Sequence, residues 1–163
     1  MFQAAIITAS DKGAQGQRED VSGQVIREIL EANGYEIVHQ VILPDDRKQL
    51  ADEMRRLCDE FTVDLILTTG GTGFSPRDWT PEATLDVPER LVPGIPEAMR
   101  LASLQITKRA MLSRAVAGIR KRTLMINLPG SPKAVRENLE YIINELEHGL
   151  QILRGEAGEC ART

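Results

Sequence analysis

Short apolar runs alternate with amphipathic segments along the chain. Five of these runs have the length and the branched or aromatic side chains that are typical of buried strands. The predicted strands cover residues 2–8, 35–43, 63–69, 115–119 and 123–128. Arg120-Lys121-Arg122 separates the last two, which predicts a turn between paired strands.

Between the strands, apolar residues recur every three or four positions, as on the buried face of a helix. This spacing predicts helices that begin near residues 21, 46, 80, 97 and 131. Prolines punctuate the stretch before the fourth helix, which we expect to cover residues 97–106. The second helix is expected to bury a face that consists of Leu50, Met54, Leu57, Cys58 and Phe61.

Three polar residues are placed to cap these helices. Asp46, with Gln49 three residues later, matches a capping box. In Thr80-Pro81-Glu82 we expect the threonine hydroxyl to cap the helix and the proline to open it. Ser131 is expected to cap the long last helix, whose apolar stripe continues to Leu153.

The alternation of strands and helices predicts an α/β fold with a mostly parallel sheet. We expect a single domain over residues 1–163, with a loose tail at 156–163. Ligands of such sheets bind beyond the carboxyl ends of the strands. If the strands are parallel, four loops share that edge. They contain Ser10-Asp11, Pro44-Asp45-Asp46, residues 70–73 and residues 127–132.

The most informative loop follows the third predicted strand and ends at Asp78. Gly70, Gly71 and Gly73 allow backbone N–H groups to approach a ligand closely, and successive N–H groups form an anion site. The loop lacks the lysine of a Walker motif and does not match the usual dinucleotide fingerprint. It therefore predicts a phosphorylated ligand, and a plain glycine-rich turn between strand and helix is the alternative.

Charged residues near this loop suggest how phosphates would be held. Asp78 and Asp45 are candidate Mg²⁺ ligands, because carboxylate oxygens bind Mg²⁺ together with nucleotide phosphates. Each has a simpler alternative, Asp78 as an exposed loop residue or cap and Asp45 as a turn former. Arg114, after Ser113, could clamp a phosphate through two hydrogen bonds, and a solvated charge explains it equally well.

Composition narrows the classes of function. The net charge is −4 and aromatic residues make up 4% of the chain, which argues against a nucleic-acid-binding protein. No apolar run approaches the roughly 18 residues of a membrane span. Cys58 and Cys160 lack metal-binding spacing. We therefore expect a cytoplasmic protein with reduced thiols that binds neither nucleic acid nor membranes.

Several motifs taken together resemble one family. The stretch 68–84 contains Thr-Thr-Gly-Gly-Thr-Gly, then Pro-Arg-Asp, then Thr-Pro-Glu-Ala-Thr. This order is similar to the signature of the molybdopterin adenylyltransferases, the MogA/MoaB family. Residues 112–120 and 127–135 resemble two further motifs of that family, and Ser10-Asp11 also matches it. The resemblance extends over about the whole chain.

The resemblance implies a three-layer α/β fold that usually forms a homotrimer. It implies a Mg²⁺-dependent transfer of AMP from ATP to the terminal phosphate of molybdopterin, with release of pyrophosphate. This reaction belongs to molybdenum cofactor biosynthesis, and a downstream metal-insertion protein is a candidate partner. The alternative is a molybdopterin-binding or scaffold protein of the same family without turnover.

Matched onto this chain, the family's two functional aspartates fall on Asp45 and Asp78, which become the candidate catalytic and Mg²⁺-binding residues. The candidate substrate- and nucleotide-binding residues are Ser10, Asp11, Thr69, Gly70, Gly71, Thr72, Gly73, Ser75, Ser113, Arg114, Pro129, Gly130 and Ser131. The nucleophile of the implied reaction is a phosphate that is already ionised. Catalysis then needs positioning and charge stabilisation rather than a strong base.

Overall fold

The computed structural model describes residues 1–156, so the predicted loose tail lies outside the described residues except for Glu156. The strands are β1 (Gln3–Ala9), β2 (Glu36–Leu43), β3 (Leu65–Thr69), β4 (Arg90–Leu91), β5 (Ala117–Arg120) and β6 (Thr123–Leu128). The α-helices are α1 (Asp11–Ala14), α2 (Val21–Ala32), α3 (Arg47–Asp59), α4 (Thr80–Leu85), α5 (Gly94–Leu104) and α6 (Pro132–Leu153). A 3₁₀ helix, Lys108–Leu112, follows α5.

These strands form one sheet in the order β2-β1-β3-β6-β5-β4. β1 pairs in parallel with β2 and β3, and β3 with β6, whereas β5 runs antiparallel to β4 and β6. The register places Thr8 beside Thr69 and Thr69 beside Leu128. The predicted mostly parallel sheet is confirmed, and the loops after β1, β3 and β6 leave it at one edge.

Helices cover both faces of this sheet. Successive strand residues point to opposite faces, so Ala4 and Ile6 of β1 pack in a core with α2, α5 and α6. Ala5 and Ile7 pack in a second core with α3 and α4. The predicted three-layer sandwich is therefore confirmed. None of the helices in residues 1–156 combines the length and apolar character needed to cross a membrane.

Several boundary predictions are wrong. β3 and β5 begin at Leu65 and Ala117, each two residues later than predicted. α5 begins at Gly94 rather than at residue 97. Backbone N–H groups in the first turn of a helix have no partner within the helix, so Pro96 is tolerated there and does not delay the start. Phe61 lies beyond the end of α3 and is 55% exposed, with the Arg56 guanidinium 4.8 Å from its ring centre. The short α1, β4 and 3₁₀ helix escaped the sequence analysis because they are too short to show a period.

Two of the three predicted caps are confirmed. Asp46 accepts a hydrogen bond from the backbone N–H of Gln49 (2.9 Å), and Ser131 accepts one from Ala134 (3.2 Å). The return bond of the predicted capping box does not form, because the backbone N–H of Asp46 donates to the carbonyl oxygen of Pro44 (2.8 Å). Thr80 is instead the first residue inside α4, Trp79 occupies the cap position, and no side chain caps this helix. A capping side chain belongs to the residue just before the helix and accepts from the free N–H groups of the first turn. The hydroxyl of Thr80, one position inside the helix, does not have this role.

A buried polar cluster joins the sheet to α4. Asn127 of β6 is fully buried, and its amide nitrogen donates to Thr68 Oγ1 (2.9 Å) and Thr84 Oγ1 (2.8 Å). Its amide oxygen accepts from the backbone N–H of Val116 (3.2 Å). Thr84 Oγ1 donates in turn to the carbonyl oxygen of Thr80 (2.8 Å). These bonds fix β3, β6 and the start of α4 relative to one another.

We expect Asn127→Ala to lower the free energy of unfolding by about 2–4 kcal/mol, because it leaves a cavity and several buried polar groups without a partner. Urea unfolding followed by circular dichroism measures this change. Asn144→Ala, on the exposed side of α6, is the matched control and should change stability by less than about 0.5 kcal/mol. Similar losses in the two variants would contradict the role of the cluster.

Candidate active site

A cavity of about 580 Å³ opens at the carboxyl edge of the sheet, and we call it the large cavity to distinguish it from a smaller one that adjoins the same loop. Its wall is formed by the loops after β1, β2, β3 and β6 and by the starts of α2 and α6. Eight predicted site residues line it: Ser10, Asp45, Thr69, Gly70, Gly71, Asp78, Gly130 and Ser131. The structure thus brings both predicted carboxylates close to Gly70 and Gly71, at the start of the loop of residues 70–78, which we call the glycine loop.

Gly70 and Gly71 are required by the backbone around them. Their φ angles are 92° and 70°, in the region that favours glycine. A Cβ atom on Gly70 would overlap the carbonyl oxygen of Ala9, and one on Gly71 would overlap Thr80 Oγ1. The loop can therefore lie directly against β1 and α4 only without side chains at these two positions.

The starts of two helices line the large cavity. Asp20 caps α2 by accepting from the backbone N–H of Gly23 (2.9 Å), and it also accepts from Thr8 Oγ1 (2.7 Å). Ser22 Oγ donates to the carbonyl oxygen of Gly130 (2.6 Å), which ties the start of α2 to the turn before α6. The positive ends of both helix dipoles favour an anionic ligand here.

The charged residues of the large cavity are mostly acidic. In the described range its lining includes Glu19, Asp20, Asp45 and Asp78, against the single basic residue Arg18. Burial raises the pKa of Asp45, and the carboxylates of Asp11 and Asp78 raise it too. Cations that enter with an anionic ligand would relieve this repulsion. Arg18 has no motif around it, and the sequence analysis missed it.

Asp11 links three loops rather than lining the large cavity. Its backbone N–H donates to Asp45 Oδ2 (3.1 Å), and the backbone N–H of Asp45 donates to Asp11 Oδ1 (2.9 Å). Arg77 of the glycine loop donates to both Asp11 oxygens at 3.0 Å. This contact lowers the pKa of Asp11, so the carboxylate stays charged and the link persists at neutral pH.

A second cavity, of about 290 Å³, adjoins the next two residues of the glycine loop, Thr72 and Gly73. Four predicted residues line it: Thr72, Gly73, Ser113 and Pro129. The rest of its wall comes from α5, the 3₁₀ helix and α6, and combines apolar Met99 and Leu112 with basic Arg100 and Arg109. The sequence analysis missed this cavity because these segments are distant along the chain and meet only after folding.

Arg114 binds the middle and the end of the glycine loop. Its Nε donates to the carbonyl oxygen of Gly73 (2.8 Å), its Nη2 to that of Asp78 (2.6 Å), and its Nη1 to the Glu82 carboxylate. Its backbone N–H donates to the carbonyl oxygen of Thr72 (2.9 Å). These contacts indicate that Arg114 positions Asp78, and the direct phosphate contact expected from the sequence stays a prediction.

Smaller contacts orient the remaining predicted residues. The backbone N–H of Ser75 donates to Asp78 Oδ2 (3.0 Å), which fixes the direction of that carboxylate. Thr69 Oγ1 donates to the carbonyl oxygen of Pro129 (2.7 Å) and so ties the glycine loop to the turn after β6. Within residues 1–156, no three potential metal ligands converge. A cation at Asp45 and Asp78 would therefore take its other oxygens from ligand and water.

Comparison with known proteins agrees with these motifs. A family described as "Probable molybdopterin binding domain" matches residues 5–148 of this chain. A Helicobacter pylori protein named "Molybdopterin adenylyltransferase" is 42% identical over 153 residues. That alignment covers 92% of this chain and 86% of the relative.

Solved structures share the fold over nearly the whole chain. The molybdopterin biosynthesis enzyme MoaB from Thermus thermophilus is 46% identical, with a TM-score of 0.91 over 98% of this chain and 100% of its own. The tungsten cofactor synthesizing protein MoaB from Pyrococcus furiosus is 36% identical, with a TM-score of 0.86 over 94% of this chain and 98% of its own.

We expect Arg114→Lys to loosen the glycine loop, because an ammonium group cannot hold three acceptors in the fork geometry of a guanidinium. Backbone amides of residues 73–78 should exchange about tenfold faster, as measured by hydrogen–deuterium exchange and mass spectrometry. Arg136→Lys on α6 is the control and should leave this segment unchanged. Unaltered exchange combined with weaker phosphate binding would instead support the direct phosphate contact.

Proposed function

We propose, from the premise that the chain belongs to the probable molybdopterin-binding family of the MogA and MoaB proteins, that it is a molybdopterin adenylyltransferase. It transfers AMP from ATP to the terminal phosphate of molybdopterin and releases pyrophosphate. The observation that carries this proposal is the pair of cavities that adjoin successive residues of one glycine loop, Gly70 and Gly71 in one cavity and Thr72 and Gly73 in the other. A transfer between two substrates needs two sites that meet.

The large cavity suits the phosphates of ATP. Gly70 and Gly71 offer closely approachable backbone there, and the starts of α2 and α6 add positive dipole ends. Arg18 supplies a positive charge on the same wall. The volume of about 580 Å³ falls within the range of small-molecule sites.

Asp45 and Asp78 suit a Mg²⁺ ion that arrives with ATP. Both line the large cavity, and the charge of Asp78 contributes to the raised pKa of Asp45. A cation between them would remove that repulsion, and two carboxylates plus phosphate and water oxygens form the usual Mg²⁺ donor set. When bound, Mg²⁺ would neutralise part of the negative charge on the phosphates of ATP.

The second cavity suits the pterin. Met99 and Leu112 provide apolar contacts for a flat ring system, and polar Ser113 lies on the same wall. Arg100 and Arg109 offset the single acid Glu137 among the described lining residues, so this side attracts a phosphate monoester. Molybdopterin placed here would direct its phosphate toward Thr72 and Gly73 of the glycine loop.

The chain's own groups then act by positioning. The attacking phosphate is ionised at neutral pH, so no side chain has to remove a proton. The loop backbone and nearby helix starts stabilise charge on the phosphorus that is transferred. Arg114 and Ser75 keep Asp78 in place during this step. A reaction that needs no general base is compatible with a site that consists of glycines, carboxylates and guanidinium groups.

The proposal extends to assembly and location. A homotrimer is supported by apolar side chains on α5 and just beyond it that are strongly exposed in the single chain: Leu101 (65%), Ile106 (58%) and Met111 (64%). Sedimentation velocity measures this state, and a monomer at micromolar concentration would contradict it.

A cytoplasmic location and a downstream metal-insertion partner follow from the same proposed pathway step.

We expect Asp78→Asn to lower the rate of adenylyl-molybdopterin formation more than about hundredfold, because the amide cannot hold the cation that offsets phosphate charge. Purified protein is incubated with molybdopterin, ATP and Mg²⁺, and the product is identified by chromatography and mass. Circular dichroism should show an unchanged fold. Asp52→Asn, on the exposed side of α3, is the control and should keep wild-type turnover.

The same assay separates the enzyme from its alternative. Turnover by the Asp78→Asn variant at the wild-type rate would remove Asp78 from the mechanism. Wild-type protein that binds molybdopterin but releases no pyrophosphate from ATP would favour a binding or scaffold protein of the family.

A further inference from the structure

Thr80 carries a buried hydroxyl that has no hydrogen-bond partner among the described residues. Its backbone, in contrast, is bound on both sides. The N–H of Thr80 donates to the carbonyl oxygen of Gly71 (3.2 Å), and its own carbonyl oxygen accepts from Thr84 Oγ1 (2.8 Å). A buried hydroxyl without a partner weakens a folded state, so its presence here calls for a reason other than stability.

The hydroxyl lies beside the large cavity. A Cβ atom on Gly71 would overlap Thr80 Oγ1 and would lie 3.2 Å from Asp45 Oδ1. The missing side chain of Gly71 therefore leaves a small space between the hydroxyl and the carboxylate, which we call the Gly71 gap. Asp45 Oδ2 already accepts from the backbone N–H of Asp11 (3.1 Å), and Oδ1 is the oxygen on the side of the gap.

We propose that Thr80 is a positioning residue of the large cavity: its hydroxyl donates to Asp45 Oδ1, directly or through one water in the Gly71 gap, when Mg-ATP is bound. The inference rests on the proposed function, which supplies this ligand. A charged ligand draws Asp45 into one orientation, and a donor behind the carboxylate holds it there. The hydroxyl thus gains its partner only in the complex, and its bond adds to binding.

A comparison of serine and alanine at residue 80 isolates the hydroxyl. Thr80→Ser and Thr80→Ala both lack the methyl group and differ by one oxygen atom. We expect Thr80→Ala to bind Mg-ATP about tenfold more weakly than Thr80→Ser, since a bond to a charged acceptor is lost. Thr80→Ser should stay within about threefold of the wild-type protein. Isothermal titration calorimetry with Mg-ATP alone measures these affinities.

Thr84 supplies the matched control. It is in the same short helix and is also fully buried, but its Oγ1 donates to the carbonyl oxygen of Thr80 and accepts from Asn127 Nδ2. Thr84→Ala should therefore melt at a lower temperature than Thr84→Ser. Thr80→Ala should be at least as stable as Thr80→Ser, because the hydroxyl at residue 80 has no partner in the free protein.

Two results would overturn the proposal. One is equal affinity of Thr80→Ser and Thr80→Ala for Mg-ATP. The other is a lower melting temperature of Thr80→Ala than of Thr80→Ser, since the hydroxyl would then already have a partner without ligand. Wild-type protein that binds Mg-ATP but forms no adenylyl-molybdopterin refutes the proposed transfer, and the affinities still decide the role of Thr80. Wild-type protein that does not bind Mg-ATP refutes both.

Discussion

The amide of Asn127 holds together the elements from which the site is built. It bonds to Thr68 of β3 and Thr84 of α4, below the edge where the glycine loop leaves the sheet. Apolar packing is not directional, so α4 could pack on the sheet in more than one position. The hydrogen bonds between buried polar groups are directional and therefore select one position of α4 on the sheet. Since α4 begins directly after the glycine loop, this choice also decides where the loop ends and where Asp78 lies.

Next to this cluster, the conformation of the glycine loop is fixed by hydrogen bonds from charged side chains, since the loop has no regular backbone pairing of its own. Glycines leave a chain free to adopt many conformations, and that freedom is lost when a ligand binds. Arg114 binds the carbonyl oxygens of Gly73 and Asp78, and Arg77 of the same loop donates to the Asp11 carboxylate. The loop is thereby ordered before a ligand arrives, which lowers the entropy that binding must overcome.

Local patterns in the sequence predicted the elements that local forces determine. Apolar runs located β1, β3 and β6, and the caps at Asp46 and Ser131 follow from interactions with residues three positions away. Thr80 has the same pattern, but the position of α4 on the buried cluster places its hydroxyl inside the protein. The link from Arg114 to Glu82 joins residues 32 positions apart, and no periodicity or motif encodes it. The second cavity escaped prediction for the same reason.

The two cavities present different charges to the substrates of the proposed reaction. Acidic residues predominate in the large cavity, so in the proposed reaction it would repel ATP without a cation and favour Mg-ATP. In the second cavity, Arg100 and Arg109 attract a phosphate monoester and oppose a free cation. In the proposed reaction, the two anions that must approach each other would thus be neutralised by different means, one by a metal and one by guanidinium groups. Such a division of charge would bring the phosphates together by positioning alone, which is the mechanism that the proposed reaction requires.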